Sequence, residues 1–144
     1  MKGIALVALA AIAALLLVGG CFGPTVQKPA PEGKLCDYNT DCAVAAFLGC
    51  EKSHGNIQSD PNTQLYYQVI GMEGQNCKVY IQLIKAKDIP EFMYGMDAIC
   101  KVAPTELAQK FTSGATIDVS KMDCTGPLYE AAKTAQSLQG TPAK

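Results

Sequence analysis

Seven cysteines stand at positions 21, 36, 42, 50, 77, 100 and 124 of a 144-residue chain whose one histidine is His54. Thiols and an imidazole can hold a metal, build a nucleophile with its base, or, where thiols oxidise, close disulfides. Metal binding needs close ligand pairs. Cys36, Cys42, Cys50 and His54 are separated by five, seven and three residues, which is not a zinc-finger spacing. A nucleophile needs a base within reach and usually a third group to orient that base. His54 lies among Ser53, Gly55 and Asn56, and the chain has no Gly-x-Ser-x-Gly and no Cys-x-x-Cys. Asp88, Glu91 and Asp97 surround one connection and offer paired carboxylates, but thirteen acids scattered over a surface produce such neighbours by number alone. No catalytic residue, metal or cofactor is assigned. Disulfides remain.

The first cysteine stands apart from the rest. Met1-Lys2 is a minimal positive start, Ile4 to Val18 is an uncharged apolar run, and Gly19 and Gly20 precede Cys21. That is the layout of a secretory signal. The run is short for a membrane span, which takes about 20 apolar residues. Cleavage after Gly20 makes Cys21 the first residue of the mature chain.

Val18-Gly19-Gly20-Cys21, preceded by Leu17, resembles the lipobox of bacterial and archaeal lipoproteins. The resemblance implies a thioether-linked lipid on the Cys21 sulfur. It covers the first 21 residues and carries nothing about the chain behind them; Val18 stands where Leu is commoner. Setting Cys21 aside leaves Cys36, Cys42, Cys50, Cys77, Cys100 and Cys124, an even set, as an exported disulfide framework requires.

The organisation expected is a signal peptide over 1–20, a lipid-attachment cysteine with a Pro-rich tether over 21–35, and a single globular domain over 36–144. Phe22 to Leu35 carries Pro24, Pro29 and Pro31, and as an extended polyproline segment it would reach roughly 40 Å. The formal charge is −1, with twelve lysines and no arginine. Lacking both arginine forks and a basic stripe, the chain has no expected nucleic-acid partner. Gly71-x-x-Gly74, which has the outline of an RNA-binding loop, reads as a turn between strands.

The elements that position these residues follow from periodicity. A helix is expected over Cys42 to Cys50, capped by Thr40 or Asp41, with Val44, Phe47 and Leu48 at helical spacing. His54 to Asn62 reads as a loop by composition. Gln64 to Ile70 and Cys77 to Ile84 read as a β-hairpin, with Cys77, Val79, Ile81 and Leu83 on one face and Lys78, Tyr80 and Gln82 on the other. Ala98 to Val102 reads as a third strand and Thr116 to Val119 as a short fourth. Pro104 opens a helix through Phe111, and Pro127 opens a last helix ended by Gly140. The fold class expected is α+β: a small antiparallel sheet built on a central β-hairpin, helices packed on one face, stabilised by disulfides.

Within a helix, Cys42 and Cys50 would be about 12 Å apart, from the 1.5 Å rise per residue. A disulfide tolerates Cα separations of only about 4.4–6.8 Å, so these two are not expected to pair. The tight loop from Cys36 to Cys42 suggests that pair, which leaves Cys50 for Cys77, Cys100 or Cys124. The segment Ile89 to Met96 crowds Phe92, Met93, Tyr94 and Met96 into a connection. It is expected to cover the open face of the sheet, with a partner-binding patch as the other use of such residues.

The function expected is therefore an exported lipoprotein, held on the outer face of the cell membrane by a lipid on Cys21. Its disulfide-bonded domain would act by binding or as an envelope component, without catalysis. The alternatives are a small exported enzyme with a site near His54 and the acidic 88–97 loop, and an uncleaved signal-anchored protein.

Overall fold

Cys77, Val79, Ile81 and Leu83 alternate along one strand and all four are buried, at 3 % exposure or less. A computed structural model, which describes residues 26–87, 89–113 and 119–139, shows what these side chains face. In chain order the elements are β1 (Lys34–Leu35), α1 (Thr40–Gly49), β2 (Ser53–Asp60), β3 (Thr63–Glu73), β4 (Asn76–Ala86), β5 (Asp97–Val102), α2 (Pro104–Thr112), β6 (Asp123–Thr125) and α3 (Pro127–Gln139). Short 3₁₀ turns occupy Glu91–Met93 and Val119–Lys121. The fold is α+β and disulfide-stabilised.

The strands form one six-stranded sheet in the order β1-β2-β3-β4-β5-β6. It is mixed, where a wholly antiparallel sheet was expected. β1 runs parallel to β2 because α1 carries the chain back between them, the kind of crossover a parallel pair requires. The other four pairings are antiparallel. Two further expectations are corrected. His54 to Asn62 is not a loop: β2 runs to Asp60, and only Pro61 and Asn62 turn. Of the strand expected at Thr116 to Val119, residues 116–118 lie outside the described residues, and Val119 begins a 3₁₀ turn.

One face of the sheet builds the core. Ile57, Leu65, Tyr67, Val69, Val79, Ile81, Ala98, Cys100 and Val102 point into it and meet Ala43 and Phe47 of α1, Leu107 and Ala108 of α2, and Leu128 of α3. Phe47 is the hinge of this packing. Its ring sits edge-on to Tyr67 at 4.9 Å and stacks on Phe111 at 4.8 Å, so one side chain joins both helices to the sheet. Burying a side chain of this size contributes roughly 1.5–3 kcal/mol. Ile89, Met93, Tyr94 and Met96 pack against the same cluster instead of covering the opposite face, while Phe92 remains 75 % exposed.

The helix ends explain their own positions. Asn39, not Thr40 or Asp41, caps α1: its side-chain oxygen accepts from the Cys42 N–H at 3.0 Å. Cys50 ends α1 in the left-handed conformation at φ 48°, a position that favours glycine. Gly126 precedes α3 at φ 122°, where a Cβ would collide with the Asp97 carbonyl and the Val26 side chain.

Six cysteines pair as Cys36–Cys42, Cys50–Cys77 and Cys100–Cys124, with Cα separations of 5.5, 5.6 and 4.0 Å. Cys50, whose partner the sequence left open, joins Cys77. That bond fixes the end of α1 to the start of β4. Cys100 and Cys124 lie opposite each other on β5 and β6. None of Cys36, Cys42 and Cys50, weighed above as zinc ligands with His54, retains a thiol.

Candidate functional site

The second face of the sheet carries the polar side chains, and its register sets their neighbours. His54, Gln68, Tyr80 and Ile99 form one row across β2 to β5, and Asn56, Tyr66, Gln82 and Asp97 form the next. Such a face would ordinarily be wet. Instead, residues 26–33 lie across it. Val26 lies against Gly126, the Lys28 ammonium sits 4.1 Å over the Tyr66 ring, and the Gln68 amide donates to the Ala30 carbonyl at 2.6 Å. Farther along, Glu32 pairs with Lys52 at 2.6 Å and lends its carbonyl to a ring nitrogen of His54 at 3.2 Å. The backbone then enters the sheet: Lys34 N–H donates to the Lys52 carbonyl, and Cys36 N–H to the His54 carbonyl. Residues 26–35, expected as an extended tether, are part of the domain surface.

This cover accounts for a large side chain buried on the polar face. Tyr80, expected on the face of Lys78 and Gln82, lies there and is fully buried. Its hydroxyl donates to an Asp97 carboxylate oxygen at 2.9 Å, and its ring meets Tyr66 edge-on at 6.2 Å. Burial pushes the phenol pKa well up, and the hydrogen bond to Asp97 and that carboxylate's charge push it further. Tyr80 is thus a neutral donor that holds Asp97 in place. It is no acid or base for neutral pH.

The residues of the enzymatic alternative are not brought together. His54 stands on β2 and Asp97 on β5, three strand spacings apart, or about 14 Å. Asp97 is engaged by Tyr80, Glu91 is exposed, and Asp88 lies outside the described residues. Among the described residues no three His, Cys, Asp or Glu side chains cluster as metal ligands.

Glu73, at the far end of β3, bridges Lys101 at 2.5 Å and Lys78 at 3.1 Å. These hydrogen bonds, to Lys101 first and then Lys78, lower its carboxyl pKa.

The described residues also form concave surfaces. A groove of about 730 Å³ runs between α1 and α2, floored by Val44, Leu48 and Ala108. A smaller recess of about 360 Å³ lies at the end of β4, lined by Pro61, Gln64, Lys85, Lys87 and Tyr94. Tyr94 is held there by its hydroxyl, which donates to the Ala86 carbonyl at 2.7 Å. Ile84 of β4 and Phe92 of the following connection are exposed. The polar face was partly legible, since the outward positions of β3 and β4 include Gln64, Tyr66, Gln68, Tyr80 and Gln82, with Lys78 farther along and paired to Glu73. Amides and phenols in place of lysines and glutamates suit a surface that another segment covers. Among the described residues no helix is long and apolar enough to cross a membrane. Neither protein-family models, nor characterised proteins, nor solved structures give a match to this chain.

Proposed function

We propose that the chain is an exported lipoprotein, anchored through a lipid on Cys21 to the outer face of the cell membrane, whose domain works by binding or as an envelope component rather than by catalysis. One observation carries this reading. Six of the seven cysteines are consumed in three disulfides within the domain, and the seventh is the cysteine of the lipobox-like Leu17-Val18-Gly19-Gly20-Cys21. Disulfides persist in oxidising compartments, which agrees with a secretory signal over 1–20. Within the domain, we take the β3–β4 hairpin as the central frame, helices on its core face and the membrane-proximal chain on the other.

Intact-mass measurement of the protein from its native membrane tests the reading. The expected product begins at Cys21 and carries lipid mass on that residue. Cys21→Ser should release the protein to the soluble exported fraction, because two or more acyl chains hold a protein stably where one is marginal. A Cys21→Ser protein that stays membrane-bound with residues 1–20 intact would establish the uncleaved signal anchor instead.

A further inference from the structure

We infer that the polar face beneath residues 26–33 is a docking groove for an extended segment of a partner protein that bears lysine and proline, and that residues 26–33 occupy it in cis as a strap. This rests on the reading of the domain as a binding module and does not depend on the lipid at Cys21. The strap is lightly held. Val26 and Pro29 are half-buried, whereas residues 27, 28 and 30–33 are exposed. Gln68 takes the Ala30 carbonyl and His54 meets the Glu32 carbonyl. Among the described residues, the first backbone N–H of this segment to enter the sheet is that of Lys34. A stretch so exposed and so thinly bonded opens more readily than the strands beneath it.

What the strap covers has the chemistry of a peptide groove. The Tyr66 and Tyr80 rings are flanked by the amides of Asn56, Gln68 and Gln82. Tyr80 and Gln68 are buried, yet neither belongs to the hydrophobic cluster on the opposite face. Aromatic-lined grooves of this kind take proline-rich chains, which are already extended and lose little entropy on docking. The strap shows how the groove reads one. Pro29 and Pro31 keep it extended, the Lys28 ammonium lies over Tyr66 and donates to Gln82 at 3.4 Å, and Gln68 takes the carbonyl two residues on. Asp97 stands next to Gln82 and is the one carboxylate in these two rows, so the charge of the groove suits a lysine. A second chain with the same spacing makes the same contacts, and the strap competes with it. A partner binds only the molecules whose strap is lifted, and its apparent affinity falls by that fraction.

The test uses the protein purified from its native membrane and a fluorescent peptide with the sequence of residues 26–33, Val-Gln-Lys-Pro-Ala-Pro-Glu-Gly. Lys28→Ala/Glu32→Ala loosens the strap by removing its ring contact and its ion pair, and leaves the groove untouched. Both side chains are exposed, so the fold and the disulfides should persist, as circular dichroism and non-reducing peptide mapping will show. The expected result is that the peptide binds the loosened protein about tenfold more tightly than the parent. Adding Tyr66→Ala to the loosened protein, or placing glutamate for lysine in the peptide, should reverse that gain. In NMR spectra, the side-chain amide signals of Gln68 and Gln82 should move as the peptide binds. Equal affinity for parent and loosened protein, or no binding to a folded loosened protein, overturns the groove and leaves the anchor at Cys21 standing. Signals that move with chitohexaose and not with the peptide overturn the polypeptide ligand.

Discussion

Removing the Cys50–Cys77 disulfide should cost more stability than removing Cys36–Cys42, by an amount set by the lengths of chain they close. The sequence separations are 27 and 6 residues. On the loop-entropy account these correspond to about 3.5 and about 2.2 kcal/mol at 25 °C, a gap of about 1.3 kcal/mol, or roughly tenfold in the unfolding equilibrium. Packing acts in the same direction, since Cys50 and Cys77 are both buried whereas Cys42 is only half-buried. The assay is guanidinium unfolding of Cys50→Ala/Cys77→Ala and of Cys36→Ala/Cys42→Ala, compared with the parent at fixed pH. A third protein separates the bond from the backbone beneath it. Cys50 sits at φ 48°, where a side chain costs about 1–2 kcal/mol that glycine avoids. Cys50→Gly/Cys77→Ala should therefore be about 1 kcal/mol more stable than the double alanine protein. If losing Cys36–Cys42 costs as much as losing Cys50–Cys77, loop length does not govern these bonds and the reasoning fails.

Val79 is 1 % exposed in the middle of β4, and Val79→Asp should leave the domain unfolded at neutral pH by circular dichroism. A buried unpaired carboxylate costs several kcal/mol against a total stability of about 5–15 kcal/mol. The Glu73 carboxyl, held below its ordinary pKa of 4.5 by Lys101 and Lys78, adds stability above that value and loses it as the pH falls through the lowered one. Glu73→Gln should remove that share of the acid sensitivity, read as a flatter dependence of the guanidinium midpoint on pH below about 4.5. A midpoint whose fall in acid is the same in both proteins would show that these exposed ion pairs contribute nothing measurable.

What the sequence revealed depended on how strongly each segment repeats its own pattern. β4 was legible because its inward positions are large and apolar, and α1, α2 and α3 because caps or prolines open their apolar stripes. β2 was not, because its inward positions are Ser53, Gly55, Ile57 and Ser59, and only Ile57 gives a period-two signal. Gly55 is small for a tertiary reason: a Cβ there would lie 2.9–3.0 Å from the backbone of Cys36 and Asp37, which runs alongside. A close backbone approach of this kind leaves no trace in local periodicity. β1 escaped notice for a similar reason, being two residues long and held by its neighbour. Tyr80 was placed on the correct face, but its burial was not legible, since the cover over it comes from residues 26–33, fifty positions away in the chain. The disulfide partner of Cys50 likewise depends on where α1 ends relative to β4, a distance that only the packed structure sets.

The strip of chain across the polar face also determines how the domain would bear a load. A pull on an anchored N-terminus would not stretch a slack linker. It would peel Val26, Lys28, Ala30 and Glu32 from the sheet in turn, each held by one or two weak contacts. Peeling of this sort proceeds at low force, because the contacts break in series and never together. It meets resistance at Lys34 and Cys36, whose backbone bonds to Lys52 and His54 lie within the sheet. At Cys36 the covalent link to Cys42 diverts the force into the start of α1, so the short loop between them carries no tension. Under such a load the segment would pay out as a spacer up to Cys36, where the covalent bond would hand the force to the start of α1.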